Sequence, residues 1–400
     1  MIRFDQYLAE SKNLHLEHLE DAVFNEGSAG VEEAVRFINA VADMIRGNTS
    51  KKYSVTTKWD GAPSVFCGIN PENGKFFVGS KSVFNKTPKI NYTPADVKRN
   101  HVGGVVDKLI ACFALKNIGI RGVLQGDLLF TPGDKTNKKI NGVQHITFKP
   151  NTITYAVPTD SELGSRIAKA NIGIVFHTSY EGKTLPSMRA KFGASVKGLR
   201  RTNKVWFDDA TVKDFSGTGT LTTREASVID KQIKKIESLS NSSKDFLDMI
   251  YKHKIVDDIK IYVNSLVRTG GFKPTAADFI NFFKEREEAK IDKLKTEKAQ
   301  NRKRAELKDK LREVMSMRAG LNNAFRLQKL LSQVKTLFTR KLSRIDNMPS
   351  FIQTDNGFEA TSPEGFVVID HITDKAYKLV DRMEFSRLNF TTAKDWIRGN

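Results

Sequence analysis

The chain has 400 residues, with 65 Lys and Arg against 46 Asp and Glu, which gives a formal net charge of +19. This length is sufficient for two or three domains, and the charge favours a polyanionic partner, most often nucleic acid, or an acidic membrane face. No run of about 18 apolar residues and no apolar signal segment is present, so we expect no transmembrane helix and a cytoplasmic protein.

Segment 1–52 is predicted to form two helices, separated by a glycine-rich break at 27–30, that pack on the sheet that follows. His15 and His18 lie three residues apart, a spacing that could hold a metal ion. Because no further ligand set is visible nearby, we interpret them as solvated or capping histidines.

Segment 53–221 has the alternation and the β-branched content of strands. Strands are predicted at about 53–57, 62–68, 75–81, 123–130, 144–149, 152–157 and 172–180, with a helix at about 105–117. Cys67 and Cys112 stand in apolar surroundings and are expected to be buried free thiols rather than a disulfide or a metal pair.

Lys58-Trp59-Asp60-Gly61 stands between the first two predicted strands, and its Asp-Gly pair is a turn signal. A lysine at a strand end can be desolvated, which lowers its pKa and makes its amine a nucleophile. A surface lysine beside a turn is the simpler alternative, and the tetrapeptide alone is a weak signal.

Asp127 and Phe176 are further candidates on predicted strands. An acid within the apolar strand 123–130 is costly to bury without a partner, so Asp127 is either a site residue or a hydrogen-bonded acid at a bulge. Phe176 is either a core residue or a platform for a flat base.

Segment 222–347 is rich in helix-forming residues and strongly basic. Helices are predicted at 223–240, 243–267, 274–317 and 322–346. Residues 281–345 contain 19 Lys or Arg and 8 Asp or Glu. This imbalance favours a nucleic-acid clamp over a merely solvated surface. The candidate phosphate-binding residues are Arg189, Lys191, Lys197, Arg200 and Arg201 before the insertion and Arg302, Lys303 and Arg304 within it.

Strand patterns resume at 348–400. A predicted hairpin joins the strand that follows Glu364 to the strand that carries Lys378, which would bring these two side chains to one cleft.

Taken in order, the stretches Lys58-Trp59-Asp60-Gly61, Gly126-Asp127, Ile174-Val175-Phe176, Glu364-Gly365-Phe366-Val367-Val368 and Lys378 resemble the motifs of the covalent nucleotidyltransferases. These are the ATP-dependent DNA and RNA ligases and the mRNA capping enzymes. The chain also looks like an uncharacterised phage protein family, which would place it in a host cytoplasm. The resemblance covers about 53–216 and 355–390. It implies an α+β fold with ATP-grasp-like antiparallel sheets, interrupted by the basic helical insertion.

The resemblance implies that Lys58 attacks the α-phosphate of ATP and forms a lysyl-AMP intermediate. It implies that Glu364 holds or orients Mg²⁺ or Mn²⁺ and that Lys378 neutralises the α-phosphate. It further implies that Asp60, Gly61 and Lys81 belong to the nucleotide site, that Asp127 lies near the ribose and the metal, and that Phe176 stacks on the adenine.

Three positions depart from the family. Pro63 stands where an arginine is common, Asp127 is shorter than the usual glutamate, and Val380 stands where a second lysine is common. Glu181-Gly182 is a second candidate for the Glu-Gly motif. We prefer Glu364, because the apolar strand that follows Glu364 matches the family motif and the next strand supplies the lysine. Too few residues follow Lys378 for the OB-fold domain of DNA ligases and capping enzymes, so we expect an RNA ligase. The alternatives are a DNA ligase without that domain, a nucleic-acid-binding protein without turnover, and a protein-modifying nucleotidyltransferase.

Overall fold

The structure is a computed structural model, and it describes residues 16–46, 52–140, 142–212, 221–343, 350–354, 357–361 and 364–383. Within these ranges the fold is mixed α and β, with a strand-rich part, a helical block and a return to strands, as predicted. The helices are α1 (Ala22–Asn25), α2 (Gly27–Ile45), α3 (Pro94–Asn100), α4 (Val105–Ala111), α5 (Glu162–Lys169), α6 (Thr223–Ser242), α7 (Lys244–Ile250), α8 (Ile255–Thr269), α9 (Ala276–Ile291), α10 (Glu297–Ser316) and α11 (Arg318–Leu342).

The strands form three sheets. They are β1 (Glu17–His18), β2 (Tyr53–Lys58), β3 (Ser64–Ile69), β4 (Phe76–Gly79), β5 (Val123–Phe130), β6 (Lys135–Ile140), β7 (Val143–Phe148), β8 (Thr154–Pro158), β9 (Ile172–Glu181), β10 (Arg189–Phe192), β11 (Val205–Asp209), β12 (Ser350–Thr354), β13 (Gly357–Thr361), β14 (Gly365–Asp370) and β15 (Lys375–Val380). The first sheet has the order β1-β15-β14-β2, the second β10-β9-β5-β3-β4 with β11 beside β9, and the third β13-β12-β8-β7-β6. Neighbouring strands are antiparallel, as predicted, except that β1 is parallel to β15 and β11 is parallel to β9.

The first sheet shares one hydrophobic core with helices from two distant parts of the chain. Phe37 and Ile38 of α2, Ile236 of α6, Phe338 of α11 and Phe366 of β14 belong to the same buried cluster. The N-terminal helices and the helical block therefore cover the sheet together.

The second and third sheets meet the first at the end of β2. Thr57 N–H donates to Ala210 O at 2.7 Å, and Val212 N–H donates to Val55 O at 2.9 Å. A further buried cluster joins Phe130 of the second sheet, Tyr155 of the third and Val380 of the first. The three sheets therefore converge close to Lys58, which ends β2.

The helical block contains more breaks than predicted. Two predicted helices, 243–267 and 274–317, are each divided, because residues 251–254 and 292–296 lie outside the helices. Side-chain caps mark the starts of α6, α9 and α10, where Thr222, Thr275 and Thr296 each accept a hydrogen bond from a backbone N–H in the first turn. The helices α7 and α8 begin without such a cap. Among the helices in these ranges, none combines the length and the apolar character that crossing a membrane requires.

The N-terminal segment differs from its prediction. In place of a first helix, the described part of this segment contains the short strand β1, a 3₁₀ turn and the four-residue helix α1. The glycine-rich stretch 27–30 begins α2 instead of breaking a helix. His18 is 9% exposed, so its interpretation as a solvated histidine is wrong, and His15 lies outside the described residues. Cys67 and Cys112 are buried free thiols, as predicted.

Candidate functional site

Segments that are far apart in the sequence form neighbouring strands and carry the predicted catalytic residues. β14 lies between β2 and β15, and Gly365 at its start pairs with Lys58 at the end of β2. Glu364 therefore lies next to Lys58. β15 carries Lys378 on the other side of β14, and β1 places His18 beside that lysine.

Lys58 and Glu364 form an ion pair, with Lys58 Nζ 2.5 Å from Glu364 Oε2 and side chains that are 28% and 8% exposed. Burial acts to lower the pKa of Lys58, but the carboxylates of Glu364, Asp127 and Asp60 outweigh it and raise this pKa above its ordinary value. The lowered pKa expected from the sequence is therefore wrong for this state. Lys58 is an ammonium here, and it must lose a proton before its amine can act as a nucleophile.

Lys378 is a half-buried cation, and the structure gives it no hydrogen bond or ion pair within the described ranges. Burial and the charge of Lys58 lower the pKa of Lys378. Burial, followed by the charges of Arg382 and Lys335, lowers the pKa of His18 well below its ordinary value, so the imidazole beside Lys378 is neutral. A bound anion would relieve the unfavourable potential at Lys378.

A cavity of about 510 Å³ lies beside Lys58, between the first sheet and α8. This volume is in the range of small-molecule binding sites. The cavity is lined by Glu17, His18, Asp21, Phe24, Lys58, Ile259, Lys260, Val263, Asn264, Val267, Gln328, Glu364, Lys378, Val380 and Arg382. The structure therefore brings the three predicted catalytic residues to one cavity.

The turn after Lys58 is fixed by hydrogen bonds to the segment before β8. Asp60 is 4% exposed, and its carboxylate accepts from Asn151 Nδ2 at 2.6 Å and from the N–H groups of Thr152 and Ile153 at 2.7 Å each. Asp60 therefore holds the turn in place through both oxygens. Its contribution to the cavity is its charge, which acts on Lys58.

The turn is present as predicted, but the strands on either side of it belong to different sheets and do not form a hairpin. β2 pairs with β14, whereas β3 pairs with β4 and β5. The turn crosses β5: Ala62 N–H donates to Leu128 O at 2.9 Å, and Leu128 N–H donates to Pro63 O at 3.1 Å. Gly61 lies so close to β5 that a Cβ atom there would be 2.6 Å from Asp127 Cβ. Glycine is required by this close approach.

Asp127 pairs with a histidine on the neighbouring strand. Its Oδ2 atom lies 3.5 Å from His177 Nε2, and the two side chains are 21% and 27% exposed. Val175 stands opposite Asp127 in the β5–β9 ladder. Because side chains alternate along a strand, His177 shares the face of Val175, and Phe176 points to the other side. Asp127 does not line the cavity, but its charge contributes to raising the pKa of Lys58.

Two residues predicted to bind the nucleotide lie away from the cavity. Phe176 is 0% exposed and packs in the core of the second sheet, with its ring centroid 6.4 Å from that of Phe207. The structure therefore differs from the open stacking platform expected at Phe176, because no face of the ring is accessible. Lys81 is exposed at the start of a 3₁₀ helix after β4 and does not line the cavity.

A buried cluster of charges, which sequence reasoning missed, borders the cavity. Glu20 is 0% exposed, and its Oε1 atom lies 2.6 Å from Lys335 Nζ and 2.9 Å from Arg382 Nε. Arg382 also pairs with Asp21, which accepts a hydrogen bond from Gln328 Nε2 at 3.1 Å. The cluster joins the N-terminal segment, α11 and the end of β15. The sequence signal for it was the position of Glu20 and Asp21 between the apolar residues Leu19 and Ala22.

The predicted phosphate-binding residues are exposed, but several have protein partners. Arg302 and Lys303 pair with Glu306, at 3.8 and 2.6 Å, and Arg304 pairs with Asp292 at 2.8 Å. Such exposed pairs are weak, so they reduce the charge of the triplet without removing it.

Arg189, Lys197 and Arg200 are exposed around β10 and in the loop after it. Lys191 lies 3.9 Å from Glu181. Arg201 stacks on the Phe207 ring at 4.3 Å and donates to its carbonyl, so it supports the second sheet.

The carboxylates at the site suit a hard divalent cation only in combination with a substrate. In the part of the chain that the structure describes, no group of three or more His, Cys, Asp and Glu side chains could hold a metal. Mg²⁺ in nucleotide sites is bound through one or two carboxylates, phosphate oxygens and water, and needs no such group. Of the two predicted metal ligands, Glu364 lines the cavity and Asp127 does not.

The site is thus a cavity in which two lysines and a carboxylate from paired strands face a helical wall. The chain belongs to a family described as a family of unknown function, DUF6267, whose model matches residues 13–394. No curated protein matches the chain, and no solved structure matches it. The family match includes the N-terminal helices, the sheets and the helical block.

Proposed function

We propose that the protein is an ATP-dependent polynucleotide ligase, with RNA as the preferred substrate, that forms a lysyl-AMP intermediate at Lys58. The observation that carries the proposal is the convergence of Lys58, Glu364 and Lys378 on one cavity. The antiparallel sheets that frame Lys58 support a nucleotidyltransferase type of fold. The resemblance groups these three residues into one site from their order in the sequence alone.

In the proposed first step, Lys58 Nζ attacks the α-phosphorus of ATP. A nitrogen–phosphorus bond forms, the bond from that phosphorus to the bridging oxygen breaks, and pyrophosphate leaves with the electron pair. The ammonium proton must leave first, and Glu364, at 2.5 Å, is the carboxylate that it faces. Lys378, which has no carboxylate partner within the described ranges, is placed to neutralise phosphate charge. A divalent cation held by Glu364 and Asp127 would supply further charge neutralisation.

In the proposed later steps, AMP passes to a 5′-phosphate, and a 3′-hydroxyl then displaces it. The seam between α6 and α11 is the surface best suited to hold the polynucleotide. α11 contains six Lys or Arg and no Asp or Glu. Two grooves, of about 350 and 420 Å³, follow the seam, with Lys234, Lys235 and Arg326 at one and Arg340 at the other.

These four cations are exposed and have no ion pair among the described residues. Arg326 and Arg340 are separated by about 21 Å along the helix, enough to contact several phosphates. The seam is therefore a stronger candidate than Arg302, Lys303 and Arg304, whose charges are shared with neighbouring acids.

The proposal is tested by incubating the protein with α-labelled ATP and Mg²⁺ and looking for an acid-labile protein adduct. We expect an adduct on the wild type, none on Lys58→Ala, and wild-type labelling of Lys81→Ala, which removes an exposed lysine outside the cavity. Parallel incubations with GTP and NAD identify the donor. Absence of label with all three nucleotides would refute the proposal.

The nucleic-acid surface is tested by the salt dependence of RNA binding. Replacing Lys234 and Lys235 by alanine should lower the slope of log K against log salt by about 1 to 2, because each lost phosphate contact removes roughly 0.7 to 0.9. The matched control replaces Arg302 and Arg304 and should change the slope less. An equal effect of the two pairs would place the polynucleotide elsewhere.

A second candidate is a nucleic-acid-binding protein that has the same fold without turnover. The raised pKa of Lys58 favours it, because an ammonium is not a nucleophile. Pro63 and Val380, at positions where the family commonly has cations, favour it too. RNA binding without a nucleotide adduct is the result that would select this candidate.

A further inference from the structure

The cavity beside Lys58 is lined by both charged and apolar side chains. Lys58 and Lys378 lie on the strands, and the helices contribute the apolar surface of Phe24, Val263 and Val267 together with the polar side chains of Lys260 and Asn264. A nucleotide likewise combines anionic phosphates with a flat and largely apolar base. With the phosphates at the lysines, the base is directed towards the helical wall.

Gln328 of α11, like His18 of β1, lines the cavity and has a buried polar atom without a hydrogen-bond partner among the described residues. It is 1% exposed and lines the cavity. Its Nε2 donates to Asp21 Oδ1 at 3.1 Å, while its Oε1 atom is buried without a partner among the described residues. Buried carbonyl oxygens without a partner are uncommon and call for an explanation.

The orientation of this amide is fixed by its neighbour. Asp21 Oδ2 is paired with Arg382 and Asp21 Oδ1 accepts the hydrogen bond of Gln328 Nε2, so this carboxylate serves as an acceptor here, although burial raises its pKa. The amide nitrogen of Gln328 must therefore face Asp21, and the oxygen is the atom left for a ligand. A ligand group that meets this oxygen has to be a donor.

We propose that Gln328 selects the base of the nucleotide, by accepting a hydrogen bond from the 6-amino group of adenine. This inference rests on the proposed function for the presence of a nucleotide. Adenine carries an amino donor at position 6, whereas guanine and hypoxanthine carry a carbonyl acceptor there. A 6-oxopurine would place two oxygens against each other and leave both unpaired, which is an effective basis for rejection. The base subsite then belongs to Phe24, α8 and α11, and the closed Phe176 ring has no part in it.

The test is equilibrium binding of AMP and IMP, which differ at position 6 of the base, measured by calorimetry on the full chain. We expect the wild type to bind AMP at least tenfold more tightly than IMP. Gln328→Met should reduce this ratio to within about twofold, mainly through weaker AMP binding. Gln333→Met, at an exposed position on the same helix outside the cavity, should keep the wild-type ratio.

Gln328→Asn provides a second variant in case Gln328→Met does not fold. It keeps an amide but withdraws the oxygen by one methylene, and it should also lose the AMP preference. A wild-type protein that binds AMP and IMP equally, or binds neither, would overturn the inference. An unchanged ratio in the folded Gln328 variants would overturn it too.

Failure of this inference is distinguishable from failure of the ligase proposal. Labelling of Lys58 by ATP together with an unchanged AMP/IMP ratio in the Gln328 variants would reject only the role of Gln328. A Gln328-dependent preference for AMP without any adduct would reject only the ligase chemistry.

Discussion

Neutralising Lys335 is expected to lower the free energy of unfolding more than most single substitutions in the protein. Its side chain is 1% exposed and lies 2.6 Å from the fully buried Glu20. Removing one partner of a buried ion pair costs about 3 to 5 kcal/mol, because the other charge remains buried. In Lys335→Met, Glu20 still has Arg382 at 2.9 Å, so we expect the lower end of that range, about 3 kcal/mol.

The measurement is urea denaturation followed by far-UV circular dichroism with linear extrapolation. Lys329→Met, at an exposed position on the same helix, is the matched control and should change the free energy of unfolding by less than about 0.5 kcal/mol. Glu20→Gln combined with Lys335→Met removes both charges and should be less damaging than the sum of the single changes. A Lys335→Met protein as stable as the control would refute the reasoning.

Three further predictions concern other parts of the fold. Gly61→Ala should destabilise the protein by about 1 to 3 kcal/mol and lower its melting temperature, because the new Cβ would lie 2.6 Å from Asp127 Cβ; an unchanged melting temperature would contradict this packing. Both cysteines are buried, and burial raises the pKa of Cys112 to about 12. A thiol reagent at pH 8 should therefore label no cysteine in the folded protein and two cysteines in denaturant. Rapid labelling of the folded protein would contradict this burial. The hydrogen bond from Lys244 lowers the pKa of Asp248 from 3.8 to about 2. The stabilising contribution of the Asp248 carboxylate is therefore present above about pH 4 and lost as the pH falls towards 2. Asp248→Asn should lose less stability over that interval than the wild type.

The strands that carry the candidate site could be predicted because their signals are local. Alternation and β-branched residues located the strands that end at Lys58 and follow Glu364, and the 364–380 hairpin joins residues that are close in sequence. The pairing of β2 with β14 links positions more than 300 residues apart, and no local pattern encodes it. For the same reason, a turn after Lys58 was predictable, but the sheet to which the next strand belongs was not.

The structure bears differently on Phe176 and on the basic helices. A strand places successive side chains on opposite faces, so Phe176 lies in the core while its neighbour His177 faces Asp127. The pairing of Arg302 and Lys303 with Glu306 could have been predicted from the sequence, since Glu306 stands one helical turn away. The burial of His18 could not be predicted, because it depends on the pairing of β1 with β15, which places His18 beside Lys378.

The order of the first sheet has a consequence for how the protein is made. β2 leaves the ribosome early, but β14, which pairs with it and brings Glu364 to Lys58, is synthesised more than 300 residues later. A nascent chain therefore has Lys58 without its carboxylate, and the cavity assembles only when translation has passed β15. The topology alone keeps an unfinished chain from forming the cavity.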